Sequence, residues 1–119
     1  WLDEDALKRE VLDAALAAGT YLPSLRDPQT DRSTREPPKP LAPNHVLIVS
    51  GSLLLGRGLP FNRTIHLALS PAARARRTTA DDAWTLPAYD AYDAEVRPAE
   101  TADFAIKLDD PRHPATRQK

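Results

Sequence analysis

Residues 45–51, HVLIVSG, set Val46, Leu47, Ile48 and Val49 side by side and then run into a serine and a glycine. A run of branched aliphatics has no polar face, so as a strand it must be covered on both sides, the habit of a central strand in a parallel α/β sheet. Burying each of these side chains is worth about 1.5–3 kcal/mol, against an ordering cost of about 1.5 kcal/mol per residue. The strand is therefore favourable only with both faces covered. Ligands of open α/β sheets collect at the carboxyl ends of the strands, which places Ser50 and Gly51 where chemistry is expected.

The flanking segments follow from local chemistry. Residues 3–18 read as a helix: Asp3 or Asp5 can cap it, and Leu7, Val11, Ala14, Ala15 and Ala18 recur at helical spacing. Leu12 and Leu16 widen the apolar stripe, and Gly19 supplies the stop. Residues 20–43 form a connector whose prolines exclude a helix interior or a central strand. Connectors of this length are functional or disordered. Its first part, to residue 35, mixes aromatic, arginine and carboxylate groups that can grip a polar ligand, while residues 36–43 look like a proline-rich spacer.

Downstream, residues 52–60 form a short apolar turn held by Gly56 and Gly58, and residues 64–69, TIHLAL, have strand composition. Ser70 and Pro71 then start a helix, the serine as cap and the proline in the first turn. A second helix is expected from about Leu86, with Tyr89, Tyr92 and Val96 at helical offsets, ending before Pro98. Residues 104–108, FAIKL, are a third strand, and residues 109–119 are expected to fray as a flexible tail. Strands alternating with helices point to an α/β layer with a parallel sheet.

The formal net charge is −1, from 16 basic and 17 acidic residues, which removes the electrostatic case for non-specific nucleic-acid binding. There is no cysteine, hence no disulfide framework and no thiolate chemistry. The longest apolar stretch falls far short of the about 20 residues of a membrane helix, and the opening residues lead to no expectation of a signal peptide. These features lead to the expectation of a cytoplasmic protein without a membrane partner. The chain also has no methionine, and its start at Trp1 is expected to reflect processing, trimming or a fragment.

Catalytic signals are sparse. His45, His66 and His113 lie far apart and form no metal-ligand spacing, so no metal site is expected. The stretch GSLLLGRG has the glycine spacing of a phosphate-binding loop but puts Arg57 and Gly58 where lysine and a hydroxyl residue are required. More informative are Arg74, Arg76 and Arg77, on one short helix that follows a strand, where they can reach transferring phosphates or form a solvated basic face.

VLIVSG, LLLGRGLPF, TIHLALSPAARARRT, WTLPAYDAYDAEVRP and ADFAIKLDDPRHP, in that order, resemble the carboxyl-terminal part of the uridine kinase-like proteins of the P-loop nucleoside kinase superfamily. DEDALKREVLD and YLPSLRDPQTDRSTR extend the likeness over nearly the whole chain. The resemblance implies a single partial domain of that fold, with a partial parallel sheet of about three strands flanked by helices. It also implies transfer of the terminal phosphoryl group of ATP, with Mg, to the 5'-hydroxyl of a pyrimidine nucleoside. By the same resemblance Asp27, Thr30 and Arg32 fall in the nucleoside-binding loop, where Arg26 replaces the family's tyrosine. Arg74, Arg76 and Arg77 match the arginine-rich lid, and Pro98, Ala102 and Asp103 match the approach to the last strand. Ser50 stands where the family has an acidic residue.

In the family the Walker A loop and the catalytic base lie upstream of this region, so this stretch is expected to carry part of the acceptor site and the lid without binding ATP tightly unaided. The family's phosphate-loop strand lies between the equivalents of residues 46–49 and 64–69. Its absence leaves an open sheet edge, with self-association or a partner chain as the expected consequence. The alternative is a non-catalytic binding or regulatory module that keeps remnants of the fold, a reading that Ser50 favours.

Overall fold

The computed structural model describes residues 3–34 and 36–118. The chain divides into two compact units, Trp1–Ser50 and Gly51–Lys119.

The first unit opens on the expected helix, in three segments: α1 (Glu4–Ala6), a π-helical stretch (Leu7–Asp13) and α2 (Ala14–Ala18). Asp3 is the cap, its carboxylate accepting from the Ala6 backbone N–H at 2.9 Å, and Glu4 and Asp5 place negative charge in the first turn. Gly19 ends the helix at φ 62°, a left-handed conformation that glycine adopts without a Cβ penalty. Ala6 and Leu12 are buried, whereas Leu16 is exposed, so the apolar stripe is narrower than its sequence suggests.

The connector is folded where an irregular loop was expected. Strands β1 (Thr20–Tyr21) and β4 (Lys39–Pro40) pair antiparallel, and inside them β2 (Arg26–Asp27) pairs with β3 (Arg32–Ser33). Pro40 has no N–H to donate, yet in a two-stranded ladder it needs none: the Leu41 N–H closes the end by donating to the Gly19 carbonyl at 2.7 Å.

The central strand expected at residues 46–49 does not form. Val46 and Ile48 are each 83% exposed, and no other strand among the described residues pairs with the segment. Strand composition supplies side chains for a sheet, but a strand exists only where another backbone takes up its N–H and C=O groups.

In the second unit β5 (Ile65–Ala68) leads into α3 (Pro71–Arg77), a 3₁₀ segment (Ala80–Thr85), α4 (Leu86–Val96), α5 (Pro98–Thr101), β6 (Phe104–Lys107) and β7 (Ala115–Gln118). Ser70 caps α3 as expected, its hydroxyl accepting from the Ala73 N–H at 3.3 Å, with Pro71 in the first turn. Arg97, at φ 48°, breaks the chain direction between α4 and α5. β5 and β6 run parallel, Ile65 opposite Phe104 and Ala68 opposite Lys107, with the helices forming the crossover between them.

The sheet is three-stranded, in the order β5-β6-β7, and mixed, because β7 is antiparallel to β6. Two of its strands are those expected from sequence. The third comes from the expected flexible tail, whose turn at residues 109–114 lets residues 115–118 fold back on β6, and not from residues 46–49. One sheet face, carrying Ala105, is covered by helices, with Ala73, Pro98 and Ala102 buried nearby. Alanines fill this layer because short side chains let the helices approach closely. The other face carries Ile65, Leu67, Phe104 and Ile106, of which Ile65 is 62% and Leu67 58% exposed. No helix among the described residues is long and apolar enough to cross a membrane.

Candidate functional site

Parallel strands place their ends in common, so the carboxyl end of the β5–β6 pair gathers Leu69, Ser70, Leu108 and Asp109 at one edge. The Ser70 backbone N–H donates to Asp109 Oδ1 at 2.7 Å, fastening the start of α3 to the end of β6. Lys107 Nζ lies 3.6 Å from Asp109 Oδ2, and Arg77 Nη2 donates to the carbonyls of Leu108 at 2.8 Å and Asp109 at 3.0 Å. The backbone hydrogen bond from Ser70 lowers the Asp109 pKa below the usual carboxylate value, and the cation of Lys107 adds to it. Next to it Asp110 accepts from the Arg112 N–H at 3.0 Å and sits 2.8 Å from His113 Nδ1, a bond that lowers its pKa in turn. An open groove of about 460 Å³, lined by Ala68, Ser70, Lys107 and Arg117 among others, runs into this edge.

The three arginines of α3 have different surroundings. Arg74 is 11% exposed at its side chain; it pairs with Asp90 at 3.2 Å and with Asp93, both on α4, and its guanidinium carbon lies 5.3 Å from the Tyr89 ring centre. Its charge is spent within the fold, joining α3 to α4. His66, on the helix-covered face of β5, feels both Arg74 and Asp93; burial lowers its pKa, Asp93 raises it and Arg74 lowers it further. Arg76 is exposed, and Arg77, also exposed, is oriented at the sheet edge by the carbonyls of residues 108 and 109. Of the lid residues expected from sequence, Arg77 therefore lies at the edge and Arg76 is exposed on the same helix, while Arg74 joins α3 to α4.

Asp27, Thr30 and Arg32 are brought together on the β2–β3 hairpin, in the other unit. Asp27 accepts from the Gln29 N–H at 2.8 Å, and this bond, with a second from the Thr30 side chain, lowers its pKa. The Asp31 N–H closes the turn on the Asp27 carbonyl at 2.8 Å, and Asp31 sits at φ 54°. Arg32 pairs with Asp27 across the ladder by backbone register and is exposed, while Arg26 salt-bridges Asp31 at 3.0 Å. Ser50 lies at the end of the unpaired run.

Among the described residues no group of three or more His, Cys, Asp or Glu side chains is placed to hold a metal ion. Asp109 and Asp110 are each already bonded to neighbouring donors, so this donor set does not fit Mg.

Sequence reasoning missed Asp109, Asp110 and the pairing of Arg74. The signal was present: two carboxylates directly follow the FAIK strand, and the DAYD spacing puts Asp90 and Asp93 on one side of α4. No family model, no curated protein and no solved structure matches this chain.

Proposed function

We propose that this chain is the acceptor-loop and lid part of an ATP-dependent nucleoside phosphotransferase of the uridine kinase type. The observation that carries the reading is the parallel β5–β6 pair whose carboxyl edge receives an arginine-bearing helix, with Arg77 held there by two carbonyls and Arg76 exposed beside it. At such an edge cations neutralise charge on transferring phosphoryl oxygens, and one well-placed arginine is worth about three to five orders of magnitude in rate. Arg74 holds α3 in place through Asp90 and Asp93, a positioning role. On the hairpin, the ionised Asp27 accepts hydrogen bonds from ribose hydroxyls, with Thr30 and Arg32 as its polar neighbours. The order along the chain of the segments that resemble that family supports the same reading.

A second reading, a binding module without transfer, is favoured by Ser50 in the place of an acidic residue and by the engagement of Arg74 within the fold. The two separate in one assay. The protein, expressed from its reading frame extended upstream through any phosphate-binding loop, is given ATP labelled in its terminal phosphate, Mg and uridine. Uridine-dependent transfer that Arg77→Ala lowers by about a thousandfold in kcat supports the kinase. Uridine binding without transfer leaves the binding module, and neither binding nor transfer ends both readings.

A further inference from the structure

The helix-covered face of the three-stranded sheet is not covered to its end. By strand register the side chains at 68, 105, 107, 115 and 117 share this face. Ala105 is buried, whereas Ala115 and Arg117 on β7 are exposed, so the helix layer stops short of β7. The step this leaves is the open groove of about 460 Å³, within the roughly 300–1,000 Å³ of small-molecule sites. Ala68, Ala99, Ala105 and Ala115 line it with methyl groups, which give an apolar floor without projections. Its charged lining residues are Lys107 and Arg117, and no carboxylate lines it.

We propose that this groove binds a small aryl phosphate, the flat apolar body lying on the alanines and the dianionic head bridging Lys107 and Arg117. Lys107 lies opposite Ala115 and Arg117 opposite Ala105, so the two cations are diagonal neighbours, about 7–8 Å apart at their bases. Two long side chains at that spacing reach one head group. Three terminal oxygens accept from the Arg117 fork and the Lys107 ammonium together, whereas the two oxygens of a carboxylate are filled by the fork alone. Lys107 shares its charge with Asp109 at 3.6 Å, but Arg117 has no ion pair among the described residues, so its charge is available to a ligand. A planar guanidinium also stacks on an aromatic ring.

Every lining residue belongs to the second unit, and the site uses neither the β2–β3 hairpin nor Arg77. It is therefore independent of whether the chain handles nucleosides.

The test is a nuclear magnetic resonance titration of the full ¹⁵N-labelled 119-residue chain with phenyl phosphate, with inorganic phosphate, benzoate and benzyl alcohol as separate arms. Phenyl phosphate is expected to shift the amides at 68, 99, 105–107 and 115–117 saturably, with inorganic phosphate and benzoate binding several-fold more weakly and benzyl alcohol not at all. Arg117→Gln and Lys107→Gln, both at exposed positions, weaken phenyl phosphate by about tenfold and about threefold, the smaller effect falling on the cation already shared with Asp109. Arg77→Ala leaves its binding within about twofold, because that side chain does not line the groove. Three results overturn the proposal. No saturable shift in the unaltered chain up to about 10 mM means that Lys107 and Arg117 only guard the sheet edge. Binding abolished by Arg77→Ala but indifferent to Arg117→Gln places the phosphate at the strand ends instead. Inorganic phosphate or benzyl alcohol binding as tightly as phenyl phosphate means that head and ring are not held together.

Discussion

Replacing Arg74 by alanine is expected to destabilise the second unit far more than replacing its neighbour Arg76, although both are arginines on the same seven-residue helix. Arg74 is 11% exposed, and its partners differ: the Asp93 side chain is 36% exposed and that of Asp90 63%. The Asp90 pair is close to a surface ion pair, worth about 0.2–1 kcal/mol. Stacking over Tyr89 adds about 0.5–1 kcal/mol. Truncation also leaves Asp93 half-buried without its guanidinium, a cost below the roughly 3–5 kcal/mol of a fully buried pair but of the same origin. Together these give about 2 kcal/mol, which for a unit of this size corresponds to a fall in melting temperature of about 8–16 °C. Thermal unfolding followed by circular dichroism, with Arg76→Ala beside it, measures the difference. Arg74→Lys keeps the charge but not the planar fork and is expected to recover no more than half. A melt of Arg74→Ala that coincides with that of Arg76→Ala refutes the reasoning, because it means the α3–α4 ion pairs and the ring contact contribute nothing.

Gly56→Ala is expected to cost about 2–4 kcal/mol in urea unfolding: the position lies at φ 77°, and an added Cβ falls 2.9 Å from Val96 Cγ1. Val96→Ala in the same chain relieves the clash and leaves only the backbone share, so the double variant is more stable than the sum of the singles. His66 has a pKa lowered by burial from the ordinary 6.5, so its stabilising neutral form is fully present above pH 6.5 and is lost as pH falls through the lower folded value. His66→Gln therefore flattens the decline in melting temperature just below pH 6.5. Asp109 is lowered from the ordinary 3.8, so its contribution holds above that value and disappears on further acidification; Asp109→Asn flattens that later fall. Deleting residues 115–119 removes β7 and exposes the other side of β6, so amides at 104–107 exchange several-fold faster by hydrogen-exchange mass spectrometry.

Local signals were legible in this sequence. Asp3, Gly19, Ser70, Pro71 and Pro98 marked helix boundaries because capping and ring constraints act over a few residues and need no tertiary partner. The strands at Ile65 and Phe104 were legible as well, since β5 and β6 satisfy each other. What escaped was pairing at a distance. Residues 46–49 have the strongest strand composition in the chain yet no strand partner among the described residues, whereas ATRQ, with no apolar run, is a strand because β6 offers it an edge. The connector hid two ladders because Pro40 suggested a break that a two-stranded edge tolerates. At the site the arginines were visible, but only the fold separates Arg74, neutralised by Asp90 and Asp93, from Arg77 at the sheet edge and the exposed Arg76.

Nuclear magnetic resonance titration of the ¹⁵N-labelled chain, with uridine and ATP added separately, tests the proposed nucleoside phosphotransferase most directly. The account predicts that uridine shifts amides at 27–32 on the β2–β3 hairpin. It predicts that ATP shifts those at 70–77 and 107–110 around the carboxyl edge of β5 and β6. Spectra unmoved by millimolar concentrations of both ligands contradict it.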